Sequence, residues 1–154
     1  MSSPTFTSRP DLVSLFASVV RTSKTLQAAL DADTQARLGL SLPEVDVLLN
    51  LSWAADGKLR MSEIGESLLV NRTAVTRLVD GLERRGLVER CPCEEDRRGV
   101  SAMLTEAGRG LLAEAAPLLE RGLERLIGAR VAADEAAAAR ATLERILAPD
   151  APAS

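Results

Sequence analysis

Residues 71–105 constrain the fold more than any other segment, because they combine a helix that has two chemically different faces with a following hairpin. Asn71 can accept hydrogen bonds from the backbone N–H groups of Thr73 or Ala74, and Gly86 stands where a left-handed residue would end the helix. Between these ends, apolar residues recur at the i, i+3, i+4, i+7 spacing that faces a core. They are Val75, Leu78, Val79 and Leu82.

The opposite face of this helix is polar and partly basic. Thr73, Thr76, Arg77 and Asp80 repeat the same spacing two positions earlier, so they point about 200° away from the apolar stripe, and Arg72 lies at the amino end. Small polar side chains let a helix lie deep in a DNA major groove, where Arg can bond guanine and Thr can contact the thymine methyl group. A solvated surface helix has a similar composition, so the helix alone leaves both interpretations open.

The segment after the helix predicts a hairpin with a basic tip. Residues 87–91 and 99–104 are typical of two short strands, and the polar run 92–98 is typical of their turn. A helix followed by two such strands is the order of a winged helix-turn-helix. Asp96 can hold Arg98 in one orientation, which suits insertion into a narrow minor groove. An ordinary exposed ion pair of little energetic value is the alternative.

These residues resemble the MarR (multiple antibiotic resistance regulator) family of transcription factors. The segments that carry the resemblance are 61–65 (MSEIG), 75–88 (VTRLVDGLERRGLV), 96–100 (DRRGV) and 104–108 (LTEAG). The resemblance implies a mainly α fold with a small β-hairpin wing, and a homodimer that represses by binding an inverted-repeat, pseudo-palindromic operator on double-stranded DNA. It also implies release by a small, often aromatic or anionic effector, bound in a cleft between the dimerisation helices and the winged region. Trp53 is a candidate for lining that cleft, although a Trp at a helix end is more often part of the core.

The expected organisation is a single MarR-like chain. Its predicted parts are flexible ends at 1–9 and 148–154, dimerisation helices at 10–38 and 106–147, and a winged helix-turn-helix region at 41–104. The first helix has an apolar stripe at Leu12, Leu15, Phe16 and Val19, and one domain of this length offers little core to cover it. A partner chain is therefore expected there; a monomer that folds its own ends together is the alternative.

Local signals predict where several further elements begin. Ser41 and Glu44 form a capping box with Pro43 in the first turn, so a helix is expected to start there and to extend as far as Trp53. Ser62 is expected to cap the short helix that precedes the predicted recognition helix.

After the hairpin, Thr105 is expected to cap a long helix. Pro117 should kink this helix because it removes one backbone hydrogen bond. A last helix is predicted at 134–147, and residues 58–60 are predicted to add a third strand to the hairpin.

The charge distribution predicts DNA binding that relies on geometry. The net charge is −3, with 19 Lys and Arg against 22 Asp and Glu, whereas a general nucleic-acid binder is usually basic. Arginines nevertheless concentrate in the central segment. We expect base contacts from Arg72, Thr73, Thr76 and Arg77, a minor-groove contact from Arg98 braced by Asp96, and a phosphate contact from Arg97; Arg84, Arg85 and Arg90 are weaker phosphate candidates.

Catalysis is not expected. The sequence contains no His, which removes the commonest general base and the commonest zinc ligand, and it lacks phosphate-binding glycine loops and nucleophile elbows. We therefore predict no enzyme, no cofactor and no metal site. Cys91 and Cys93 are expected to be structural, because an extended strand places them about as far apart as a disulfide tolerates, near 7 Å; a thiol-based redox switch is the alternative.

Two further predictions concern partners and location. The acidic run 94–96 and the low net basicity leave open a winged protein-interaction module that does not bind DNA. No apolar run is long enough to span a bilayer and the amino end lacks the pattern of a signal peptide, so a cytoplasmic protein is expected.

Overall fold

The computed structural model of the protein describes residues 9–92 and 99–148. In these ranges the elements are α1 (Pro10–Leu38), α2 (Leu42–Trp53), β1 (Lys58–Arg60), α3 (Met61–Leu68), α4 (Arg72–Arg84), β2 (Val88–Pro92), β3 (Val100–Leu104), α5 (Glu106–Leu123), a π-helical segment (Glu124–Gly128) and α6 (Ala133–Leu147). The mainly α fold with a small β-hairpin is therefore confirmed. None of the described helices is both long and apolar enough to cross a membrane.

The three strands form one antiparallel sheet in the order β1-β3-β2. Val88 pairs with Leu104 and Cys91 with Ser101, and Lys58 pairs with Met103 on the other side of β3. The predicted third strand is therefore confirmed. β2 also includes Pro92, which we had expected in the turn. Because β2 is an edge strand, a residue without a backbone N–H is tolerated there.

The core lies between α2, α3, α4 and the sheet. Val75, Val79 and Leu82 of α4 are completely buried, and Leu78 packs against the same cluster, which confirms the predicted apolar stripe. Burying a side chain of this kind stabilises a fold by about 1.5–3 kcal/mol. The other buried members of the core are Leu40, Val45, Val47, Leu48, Leu51, Ile64, Leu87, Val88, Ala102, Leu104 and Ala115.

Two of the three predicted serine and threonine caps are confirmed. The Glu44 backbone N–H donates to Ser41 Oγ, and the Ser41 backbone N–H donates to the Glu44 carboxylate at 2.8 Å, so the capping box is present. At the start of α5, the Gly108 backbone N–H donates to Thr105 Oγ1 at 3.0 Å.

The Ser62 cap is wrong. α3 begins at Met61, and the Arg60 backbone N–H donates to the Glu63 carboxylate at 2.7 Å. The reason is tertiary: Arg60 pairs with Ser101 in the sheet, so the chain passes from extended strand to helix two residues earlier than the local signal indicates.

The chain divides into two compact units at the boundary between Leu119 and Glu120. The first contains α1 to α4, the sheet and most of α5; the second contains the end of α5, the π-helical segment and α6. α5 continues past Pro117 to Leu123, and the π-helical segment that follows was not predicted. The kink at Pro117 stays a prediction.

Candidate nucleic-acid interface

α3 and α4 are joined by a short turn that orients α4. The backbone N–H of Val70 donates to Gly65 O at 3.0 Å, and Leu69 adopts a left-handed conformation with φ of 54° although it carries a side chain. Asn71 then accepts from the Ala74 backbone N–H at 2.9 Å, as predicted. These contacts fix the direction in which α4 leaves the turn.

The carboxyl end of α4 is equally well defined. Gly86 is left-handed with φ of 69°; its backbone N–H donates to Glu83 O at 2.9 Å, and the Leu87 N–H donates to Leu82 O at 3.0 Å. This pair of bonds is the Schellman arrangement that ends many helices, and buried Leu82 and Leu87 supply its usual apolar residues. The predicted end of the helix at Gly86 is therefore confirmed.

The outward face of α4 carries the four side chains that the sequence assigned to bases. Arg72, Thr73, Thr76 and Arg77 are all exposed, and the Thr76 hydroxyl donates to Arg72 O at 3.0 Å. Within the described part of the chain, no carboxylate pairs with the guanidinium groups of Arg72 and Arg77. Two arginines and two threonines are therefore available to a ligand from one side of one helix.

Asp80 differs from these exposed residues of α4, because it is engaged in an ion pair within the protein. It is half-buried, and its carboxylate accepts from Arg90 Nη2 at 2.7 Å while Arg90 Nη1 donates to Glu83. Partial burial opposes the charge of Arg90, but the two carboxylates outweigh this effect and raise the pKa of Arg90. Arg90 therefore ties β2 to α4, and this double pairing weakens the case for Arg90 as a phosphate contact.

Arg85 is also engaged within the protein. Its Nη1 donates to Gly39 O at 2.6 Å and its Nη2 donates to Leu38 O at 3.1 Å. Arg84 is exposed and forms no ion pair in the described ranges, so it is the strongest of the three weaker phosphate candidates. Sequence reasoning missed both internal roles, because neither arginine lies at a helical spacing from all of its partners.

The tip of the wing lies outside the described residues. This applies to Asp96, Arg97 and Arg98, and also to Cys93. Strands β2 and β3 that lead to the tip are present, but the Asp96–Arg98 contact and its minor-groove role stay predictions. Cys91 is half-buried with a free thiol, and its Sγ lies 3.8 Å from Ser101 O.

Two concave surfaces adjoin these elements. The first, of about 700 Å³, borders the amino end of α4 and the wing strands, and Arg72 and Thr76 contribute to it. The second, of about 580 Å³, lies between α1, α2 and the end of α3. Among the described residues, no group of three His, Cys, Asp or Glu side chains is arranged to hold a metal ion.

The second cavity, which we call the α1–α2 cavity, has an acidic lining. Asp31 accepts from the Leu42 backbone N–H at 2.7 Å, and half-burial of the Asp46 carboxyl raises its pKa. Lys24 is the basic residue of the lining. Trp53 is not part of this lining: it is 75% exposed, so the expectation that it is a core residue is wrong.

Comparisons with known proteins agree with this geometry. The sequence model of the MarR family matches residues 38–99. The HTH-type transcriptional regulator YfiV of Bacillus subtilis (strain 168) is 37% identical over 100 residues, which are 62% of this chain and 61% of YfiV. The match thus spans about three fifths of the length of that relative.

Solved structures extend the similarity over most of the chain. Sco5413, a MarR family transcriptional regulator from Streptomyces coelicolor, is 30% identical with a TM-score of 0.76, and the match covers 89% of this chain and 92% of Sco5413. A cysteine-to-serine mutant of MarR from E. coli, complexed with operator DNA, is 25% identical with a TM-score of 0.79 and coverage of 92% and 99%. The shared winged helix and this identity over nearly the whole length of Sco5413 show that the chain belongs to the MarR family of transcriptional regulators.

Proposed function

We propose that this protein is a DNA-binding transcriptional repressor, not an enzyme, that acts in the cytoplasm as a homodimer on a pseudo-palindromic operator. The observation that carries the proposal is the outward face of α4. It presents two threonines and two arginines, Arg72 and Arg77, that pair with no carboxylate among the described residues, and both ends of the helix are fixed by hydrogen bonds. A MarR protein of similar fold has been solved with operator DNA, which supports the same use of α4 here.

The side chains on this face suit the major groove. Arg72 and Arg77 can each donate two hydrogen bonds to guanine, and the methyl groups of Thr73 and Thr76 can contact thymine. The wing follows α4 directly and is attached to it through Arg90, so its tip would reach the flanking minor groove. Arg98, braced by Asp96, is proposed to enter that groove, with Arg97 on phosphate.

The apolar surface of α1 supports a homodimer. Leu12, Leu15, Phe16 and Val19 are all exposed, and Phe16 is 70% exposed. An exposed apolar patch of this kind marks an interaction site. Closed homodimers have two-fold symmetry, so two copies of α4 would enter successive major grooves roughly 10 bp apart, and the operator would be an inverted repeat.

The α1–α2 cavity is our candidate for the effector site. It lies beside α1, the helix proposed to form the dimer interface. A ligand bound there would therefore change the distance between the two copies of α4. Asp31 and Asp46 favour a ligand with an amine or another hydrogen-bond donor over a carboxylate. A thermal-shift comparison of paired aromatic amines and carboxylates tests this: stabilisation by the carboxylates alone would refute the assignment.

Fluorescence anisotropy on the DNA upstream of the protein's own gene, with competitor DNA and at two salt concentrations, tests the function. Saturable binding to one inverted repeat is expected. Arg77→Ala should weaken it by about 1–3 kcal/mol and relax sequence preference, because a base contact is lost. Arg37→Ala, the control, removes one positive charge at an exposed position of α1. It should change neither the affinity nor the sequence preference.

Other outcomes separate the alternatives. Equal affinity for the repeat and for scrambled DNA at this locus and at other promoters would refute the regulator. A protein partner that is bound without DNA and tolerates Arg77→Ala would then support an interaction module. Loss of DNA binding on oxidation, abolished by Cys91→Ser, would instead support redox control.

A further inference from the structure

The carboxyl ends of the proposed dimerisation helix α1 and the proposed recognition helix α4 are joined by one side chain. Arg85 follows the last residue of α4, and its guanidinium donates to the carbonyl oxygens of Leu38 and Gly39 at 3.1 and 2.6 Å. Leu38 is the last residue of α1, and Gly39 is its left-handed cap. The contact spans 46 to 47 residues of sequence, so it is a tertiary link between two helix ends.

Physical chemistry explains why an arginine occupies this position. The last carbonyl groups of a helix have no partner within the helix, and the carboxyl end carries a partial negative charge. The Gly39 backbone N–H satisfies Gln35 O, which leaves Leu38 O and Gly39 O to accept from elsewhere. A planar guanidinium can donate to both oxygens at once in a fixed orientation, whereas the ammonium group of a lysine can rotate.

Backbone geometry defines both ends of the link. On the α4 side, the backbone bonds of Gly86 and Leu87 fix the position of Arg85. On the α1 side, Gly39 is left-handed, with φ of 63° and ψ of 26°, and its backbone N–H donates to Gln35 O. α1 is 29 residues long, about 43 Å at 1.5 Å per residue. A change of about 3–5° between α1 and α4 therefore displaces the far end of α1 by roughly 2–4 Å.

We propose that Arg85 is a positioning residue that sets the spacing of operator half-sites by holding α4 at a fixed angle to α1. This inference rests on the proposed function, since it needs α1 to pair in the dimer and α4 to read DNA. The distance between the two copies of α4 then depends on the angle between α1 and α4 in each copy. Arg85 acts through this angle and does not contact DNA.

A phosphate contact is the competing role for Arg85, and the two roles differ in what they change. A phosphate contact contributes about one to the salt dependence of binding and weakens all operators alike when it is removed. A positioning residue changes the preference among half-site spacings and leaves the salt dependence unaltered.

The experiment measures anisotropy on inverted repeats whose half-sites are set about 9, 10, 11 or 12 bp apart, with wild type, Arg85→Gln and Arg84→Gln. Arg84 is the matched control, because it is the adjacent exposed arginine and has no internal partner in the described ranges. Wild type and Arg84→Gln should prefer the same spacing to the same degree; if Arg84 contacts phosphate, its loss weakens binding at every spacing alike and leaves the ratio between spacings unchanged. The affinity of Arg85→Gln for the operator with that spacing should be about tenfold lower than that of wild type. Its affinities for the different spacings should become nearly equal, and the salt dependence of binding should not change.

Gly39→Ala provides a second test that alters no charge. A Cβ at Gly39 would have room, 3.9 Å from Arg85 Nη2, but the left-handed φ strains any residue with a side chain, so the accepting carbonyl should shift. Gly39→Ala should show the same weakened preference among spacings as Arg85→Gln. The double variant should differ little from Arg85→Gln alone. Circular dichroism melts identify any variant that fails to fold; if Arg85→Gln fails, Gly39→Ala decides the test.

Three results would overturn the proposal. Arg85→Gln could weaken every spacing equally with a salt slope lower by about one, which would make Arg85 a phosphate contact. Folded Arg85→Gln and Gly39→Ala could keep the wild-type spacing preference, which would show that the link has no role in spacing. Wild type could fail to prefer any inverted repeat, in which case the proposed function fails and this inference falls with it.

Discussion

Replacing Gly108 by alanine should destabilise the protein, although alanine is the better helix former. A Cβ at Gly108 would lie 2.1 Å from Leu87 O and 2.8 Å from Leu104 Cδ1, closer than real Cβ contacts. Leu87 O also accepts from the Thr105 backbone N–H at 3.2 Å, so α5 must move away from the sheet and strain that bond. Alanine gains about 1 kcal/mol from helix propensity, whereas overpacking of this kind costs about 3 kcal/mol. The net expected loss is about 2 kcal/mol.

Gly110→Ala is the matched control for this prediction. It lies in the same helix, and among the described residues no atom outside that helix's own backbone lies within 4 Å of the position that its Cβ would occupy. Urea unfolding followed by circular dichroism should show Gly110→Ala to be more stable than wild type by up to about 1 kcal/mol. A Gly108→Ala variant as stable as Gly110→Ala would refute the reasoning, because the clash would then be relieved at no cost.

Three further predictions concern charge and assembly. Arg90→Met should lower the free energy of unfolding by about 1–2 kcal/mol, because half-buried Asp80 and exposed Glu83 lose the guanidinium that both accept from. Arg109→Met, whose ion pair is exposed, should change it by less than about 0.5 kcal/mol; equal losses would contradict this. Asp46→Asn should be more stable than wild type at pH 7. Burial raises the pKa of Asp46 above its usual 3.8, so the wild type loses stability as the pH rises from that value through the folded pKa. A stability advantage of Asp46→Asn that persisted at pH 3 would contradict this explanation. Phe16→Asp should yield monomers in sedimentation experiments and Trp53→Asp should not; a dimeric Phe16→Asp would remove α1 from the interface.

Much of the fold could be predicted because its signals act over a few residues. The Ser41–Glu44 capping box, the Asn71 cap and the end of α4 at Gly86 each depend on groups within about four positions along the chain. The apolar stripe of α4 was predictable for a similar reason, since helical periodicity alone decides which residues share a face.

The candidate site was predictable in part. Exposure of Arg72 and Arg77 follows from the same periodicity that buries Val79. The internal roles of Arg85 and Arg90 were not predictable, because which basic residues stay free for DNA depends on where distant carbonyl and carboxylate groups lie.

Local spacing and residue types already specify the two faces of α4, the hairpin that follows and the resemblance to the MarR family. The start of α3 at Met61 depends instead on contacts between distant segments, because the strand pairing of Arg60 displaces the local cap at Ser62. The tertiary structure also decides that Arg85 joins α4 to α1 and that Arg90 joins β2 to α4. The physical reason is the same throughout: a hydrogen-bonding group takes the partner that folding brings near, and the order of residues specifies only the partners within one helical turn.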